Sequence, residues 1–219
     1  MSTLSEAVVV VGAGPGMGLA VARRFAAEGF RPVLVARDPS RIDAPDLDVL
    51  GAVRLAADAT DESSLRGALA QVREAVGDPA VLVFNPSAGI SGLPTEVAPT
   101  EVARGLAIGA VAAITATQEV VPAMRAAGRG TLLFTGGGLA LKPWAPMAAL
   151  GMQKAALRSY VLALADEVGP WGVHAALVTI QGVVGASEAF APEVLAEHYW
   201  TLHTQPREAW QPEFLAPGR

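Results

Sequence analysis

Short, unbroken apolar runs alternate along this chain with longer stretches in which apolar residues recur at helical spacing. Ala7-Val8-Val9-Val10-Val11 is a β-branched run of the kind that forms a strand buried on both faces. It breaks into glycines, and Leu19, Val21, Ala22, Phe25 and Ala26 then follow with the periodicity of one helix face. Pro32–Ala36, Ala52–Ala57, Val81–Phe84, Thr131–Thr135 and Val173–Thr179 read as further buried strands, with a short edge strand near Glu213–Leu215. Helices are expected from Glu62 to about Val76, Glu101 to about Ala127, Pro146 to Val168 and Pro192 to Leu202. Residues 39–51 read as a helix or irregular turn interrupted by Pro45, and Pro122 is expected to bend or divide the helix 101–127.

Strands alternating with helices through short connections specify an α/β fold: a doubly wound parallel sheet of about seven strands, in three αβα layers with right-handed crossovers. No repeat, low-complexity stretch or linker divides the chain, so residues 1–219 are expected to form one unit.

Candidate chemistry starts where the first strand ends. Gly12-Ala13-Gly14-Pro15-Gly16-Met17-Gly18 places a tight glycine turn between a strand and a helix N-terminus. Unpaired N–H groups and a partial positive charge at a helix start hold a phosphate through the backbone, and glycines let the main chain approach it. This arrangement is that of a Rossmann-type nucleotide site, which inspects the adenosine ribose about 20 residues later, at the end of the second strand. There the strand closes on Ala36 and is followed by Arg37, a guanidinium suited to the 2′-phosphate of NADP(H). Asp38 pulls toward NAD(H), and Arg37 also has the simpler reading of a solvated loop charge; NADP(H) is preferred. Asp58, after the third strand, either caps locally or faces the adenine edge. Asn85-Pro86-Ser87-Ala88-Gly89 follows the fourth strand and is expected to line the cleft, because ligands sit at strand C-termini in open parallel sheets.

Composition narrows the classes. Hydrophobic residues make up 52% of the 219, which argues against disorder. No apolar run appears uninterrupted over the ~20 residues of a membrane helix, and the N-terminus lacks the basic cluster of a signal peptide. The absence of cysteine removes thiol catalysis and disulfides and is compatible with a cytoplasmic protein. A net charge of −5 argues against nucleic acid as a partner, and His174, His198 and His203 show no metal-ligand spacing.

Taken together, Gly12-x-x-x-Gly16-x-Gly18, Asp58, the Asn85–Gly89 turn, Lys154 on its helix and Gly182 after the sixth strand resemble the short-chain dehydrogenase/reductase family over nearly the whole chain. The resemblance implies cofactor contacts at Gly12, Gly14, Pro15, Gly16, Met17, Gly18, Arg37, Asp58, Asn85, Ser87, Lys154 and Gly182. It also implies a catalytic tyrosine four residues before the lysine, a serine about 13 residues further upstream and an asparagine in the preceding helix. In this sequence those positions are Leu150, Gly137 and a site near Gly109, so Lys154 alone remains as the catalytic candidate. The family's Pro-Gly after strand six is Gln181-Gly182, and its carboxamide-binding threonine falls at Ala186. Thr135, Ser87, Ser91, Gln153 and Trp144 are candidate substitutes; Thr135 and Ser87 also read as turn-satisfying hydroxyls and Trp144 as loop packing.

Two functions follow. One is an NADP(H)-dependent oxidoreductase acting on a small organic carbonyl, imine or conjugated substrate with a non-standard active site. The other is a dinucleotide-binding or regulatory protein without redox turnover. Helices 101–127 and 146–168 carry apolar residues on more than one face, which predicts a homodimer or homotetramer through them. Glu197-His198-Tyr199-Trp200 and Trp210 read as packing and rim residues.

Overall fold

The apolar runs become strands because helices cover the sheet on both sides. In the computed structural model, which describes residues 6–216, β1 (Ala7–Val11) and β4 (Val81–Phe84) are buried at every position. They lie side by side at the centre of one seven-stranded sheet with β2 (Arg31–Ala36), β3 (Val53–Ala56), β5 (Gly130–Gly137), β6 (Val173–Ile180) and β7 (Glu213–Ala216). The order is β3-β2-β1-β4-β5-β6-β7 and every pairing is parallel. The chain leaves β1 in one direction and returns through β4 to build outward in the other. Between these strands the connections therefore diverge and a crevice opens at their carboxyl ends.

Helices α1 (Met17–Ala27) and α7 (Pro192–His203) pack on one face, with Phe25, Tyr199 and Leu202 fully buried against strand residues such as Val10, Val83 and Leu133. The other face is covered by α3 (Glu62–Val76), α5 (Ala112–Ala127) and α6 (Ala148–Val168), whose Leu69, Ala116, Leu157 and Val161 meet Val9, Leu82, Phe84 and Phe134. Asp61 caps α3 by accepting hydrogen bonds from the Ser63 and Ser64 N–H groups.

One proline expectation is corrected, and one of two alternatives at another proline is excluded. Pro45 opens the short helix α2 (Pro45–Val49) instead of interrupting one, since the first helical position needs no N–H donor. Pro122 lies inside α5 without dividing it. The irregularity of this long helix falls earlier: α4 (Pro99–Leu106) passes through a π turn, Ala107–Val111, into α5. Strand β5 continues through Gly136 and Gly137, two residues beyond the expected end. The continuous helix Pro99–Ala127 is long and apolar enough to cross a membrane by length and composition alone, and here it is partly buried in the fold. Glu101, Arg104, Glu119 and Arg125 interrupt it, so no uninterrupted apolar run of that length occurs, as expected.

Candidate functional site

The glycines of the first turn divide into two kinds. A Cβ on Gly12, where φ is +80°, would come within 2.9 Å of the Pro86 nitrogen, and one on Gly18 within 2.6 Å of the Gly12 carbonyl oxygen. Those two close the corner between β1, α1 and the 85–89 turn. Gly14 and Gly16 have no atom within 4 Å of where a Cβ would be, and Gly16 has a φ of +146°. The helix that starts here has no side-chain cap. The N–H groups of Gly16, Met17 and Gly18 find no acceptor among the described residues, and Pro15 has none to offer. Free donors at an open helix start fit a pyrophosphate.

At the adenosine end, Arg37 is exposed just beyond β2. Asp38 beside it is committed locally, since its Oδ1 accepts from the Ser40 N–H at 3.2 Å and the Ser40 hydroxyl at 2.5 Å. Asp58 caps locally as well: its Oδ1 accepts from the Thr60 N–H at 2.8 Å and hydroxyl at 2.7 Å. Those bonds, and then the positive field of Arg37, hold its carboxyl below the usual range. The two residues are electrostatically coupled but make no ion pair.

The strand ends behind the cleft are joined by a buried polar chain. Asn85 donates from Nδ2 to the Gly12 carbonyl at 2.9 Å and accepts at Oδ1 from the Thr135 hydroxyl at 2.9 Å. With its only hydroxyl proton so used, Thr135 accepts from the Tyr199 hydroxyl 2.7 Å away. The Asn85 side chain thus works inside the protein and its N–H donates to the Val11 carbonyl at 3.0 Å, while Ser87 is exposed two residues further on. Tyr199 has no accessible surface, and burial raises its phenol well above the ordinary value. Leu195 and Leu202 at helical spacing around Tyr199 are the sequence signal for this burial.

Lys154 is 8% exposed and donates from Nζ to the Thr135 carbonyl at 2.8 Å. No carboxylate among the described residues pairs with it. Desolvation lowers its pKa to about 8. Its stem runs over Gly137, where a Cβ would meet the lysine Cγ, Cδ and Cε at 3.4 to 3.6 Å. Leu150, one turn earlier on α6, is partly buried. Residues 181–189 form an exposed segment after β6, and the Phe190 ring fills the space a Cβ on Gly182 would need. Sequence reading missed that ring, whose packing depends on a return of the chain that no local pattern records.

Trp144 is 60% exposed. His174 stacks on Trp210 and His198 on Phe214, while His203 bonds the Thr131 hydroxyl through Nδ1 at 3.0 Å.

Comparison with known proteins agrees with this geometry. The family model described as short chain dehydrogenase matches residues 6–192. An uncharacterized short-chain type dehydrogenase/reductase from Sinorhizobium fredii is 32% identical over 179 residues, covering 80% of this chain and 32% of that protein. A (2S)-[(R)-hydroxy(phenyl)methyl]succinyl-CoA dehydrogenase subunit from Thauera aromatica is 34% identical over 132 residues, 58% of this chain and 53% of that one. The matched regions thus span only about a third to a half of these relatives. Among solved structures, a metagenomic short-chain oxidoreductase in complex with NADP superposes with a TM-score of 0.86 at 30% identity, covering 98% of both chains. A short-chain dehydrogenase from Rhodopseudomonas palustris gives 0.86 at 26% identity, over 98% of this chain and 99% of that one.

Proposed function

The chain belongs to the short-chain dehydrogenase family, a family of oxidoreductases that bind nicotinamide dinucleotides, and on that premise we propose that it uses NADP(H) to reduce or oxidise a small organic substrate. The uncapped, open start of α1 carries this reading: Gly16, Met17 and Gly18 offer three N–H donors to a pyrophosphate with no Cβ in the way. Arg37 supports NADP(H) over NAD(H), because the neighbouring Asp38 is occupied by Ser40 and the guanidinium is left facing solvent.

The bound dinucleotide supplies or takes up the hydride. Lys154 would hold the nicotinamide ribose, close to the backbone of Thr135 to which it already bonds. When hydride is delivered to a carbonyl carbon, a proton must reach the oxygen, and neither Leu150 nor Gly137 has a group to give or orient one. Lys154, as the ammonium or through a water it orients, is the proton source the cleft provides. An iminium needs no such proton, because hydride addition at carbon leaves a neutral amine. Exposed Leu93, Leu141, Trp144, Val183 and Val184 sit on the loops that follow β4, β5 and β6, which supports an apolar substrate. A dimer or tetramer is part of the proposal, supported by Val111 and Met152 on the two long helices, 55% and 51% exposed.

Fluorescence titration with NADPH and NADH tests the cofactor reading. NADPH is expected to bind more tightly, and Arg37→Ala to reduce that preference about tenfold. Within a panel of ketones, imines and enones, reduction of the ketones and enones is expected to fall as pH rises through about 8, where Lys154 loses its proton. The second reading, dinucleotide binding without turnover, is favoured by the hydrocarbon at Leu150; tight NADPH binding with no absorbance change across the panel would establish it.

A further inference from the structure

Gln153 is fully buried in the middle of α6, immediately before Lys154. A buried primary amide must find partners, and this one finds both on a single residue. Its Oε1 accepts from the Ala88 N–H at 3.2 Å, and its Nε2 donates to the Ala88 carbonyl at 3.4 Å. Ala88 is itself 8% exposed, so little water reaches it to replace the amide.

The space for this side chain is made by the facing helix. A Cβ on Gly109, inside the π turn Ala107–Val111, would overlap the Gln153 Cγ, Cδ and Oε1. A Cβ on Gly105, one turn earlier, would stand 3.2 Å from its Nε2. Two glycines on one helix face and a locally widened turn thus form a notch that the glutamine fills. Successive residues of α6 then reach two neighbouring strand ends: Gln153 holds the turn after β4 at Ala88, and Lys154 holds β5 at the Thr135 carbonyl.

We propose that Gln153 is a positioning residue whose amide ties the cleft-lining turn 85–89 to the helical turn bearing Lys154, fixing the two walls between which the nicotinamide half of the dinucleotide is received. The role depends on a dinucleotide occupying the cleft, as proposed above. Without the amide, α6 remains tied to β5, but the Ala88 N–H loses its acceptor and the Ala88 carbonyl keeps only the Ile90 N–H at 2.9 Å, so the turn can shift relative to the lysine.

The test uses the full chain, with NADPH affinity measured by fluorescence from pH 6 to 9 and hydrogen exchange at the Ala88 amide. Gln153→Leu keeps most of the volume and removes the amide. It is expected to weaken NADPH about tenfold, move the pH midpoint of binding and accelerate Ala88 exchange, with a cooperative melt retained. Gln153→Glu provides the conservative rescue. Its carboxyl, when protonated, keeps a donor and an acceptor, so affinity should approach wild type at pH 6 and fall toward the leucine variant at pH 9. Should Gln153→Leu fail to fold, the pH dependence of Gln153→Glu decides alone. A folded Gln153→Leu with wild-type affinity, pH midpoint and Ala88 exchange would overturn the positioning role while leaving the dinucleotide reading intact. A wild-type chain that binds neither NADPH nor NADH would overturn the dinucleotide reading and the role together.

Discussion

The two ends of the cleft are built by different means. At the glycine turn the groups proposed to bind are backbone N–H donors, set in place by φ angles and by close contacts that only glycine permits at Gly12 and Gly18. Around Lys154 the functional groups are side chains, and three of those the family resemblance implies are replaced by Leu150, Gly137 and Gly109. A backbone site endures as long as the turn keeps its shape, because the fold itself requires that shape. A side-chain site can be emptied residue by residue while the fold stands, and the vacated volume is then refilled. Here the lysine stem lies over Gly137 and Gln153 occupies the notch at Gly109.

The sharpest way to break this contrast is within the glycine turn. Gly18→Ala would press a methyl group within 2.6 Å of the Gly12 carbonyl, and a loss of about 3 kcal/mol in denaturant-measured stability is expected together with nucleotide binding. Gly14→Ala meets nothing within 4 Å and should leave stability within about 0.5 kcal/mol. The same substitution should weaken NADPH measurably by crowding the cradle. If both variants lose the same stability, the division of the glycines into corner and cradle is wrong.

Lys154 gives the next largest effect, with opposite sign. Burial lowers its pKa from 10.5 to about 8, so between those values the unfolded chain binds more protons and folding stability rises with pH. Below about pH 8 the amine is charged in both states and its desolvation weighs fully against the fold. Lys154→Met is expected to stabilise the free protein by about 2 kcal/mol at pH 7 and to abolish the rise between pH 8 and 10.5, while weakening NADPH. Denaturant melts across that range give the slope.

Tyr199→Phe removes the hydroxyl that donates to Thr135 and should cost about 1 kcal/mol, leaving the pH profile of any turnover unchanged. A changed profile would bring Tyr199 into the chemistry, contrary to its burial. The smallest effect is expected from Gly137→Ser, whose Cβ would meet the Lys154 stem at ordinary contact distance, with stability altered by less than about 1 kcal/mol. Paired with Leu150→Tyr, it asks whether ordinary carbonyl reduction appears once both hydroxyls stand in the cleft.

Much of the fold was legible because its signals are local. Unbroken apolar runs mark strands buried on both faces, and the helical spacing of Leu195, Tyr199 and Leu202 already points one tyrosine inward. Pro122 does not divide its helix, because a proline needs only local adjustment to be accommodated in a long one, whereas the π turn at Ala107–Val111 serves a distant side chain. Asn85 was legible as a residue of the cleft-lining turn, but its amide bonds Gly12 and Thr135, residues 73 and 50 positions away. Asp58 illustrates the converse: both of its alternatives were visible, and local hydrogen bonds to Thr60 are the ones formed.

The sequence alone determined the parallel α/β architecture, the glycine turn between the first strand and helix, and the leucine and glycine at positions 150 and 137, since each is written in residue type and short-range spacing. Only the tertiary structure decided which distant residues meet. The Gln153 amide against Ala88, the Phe190 ring over Gly182 and the Tyr199–Thr135–Asn85 chain each join residues far apart in the chain. Such contacts depend on how volumes fill when helices close on a sheet, and no periodicity along the chain carries that information.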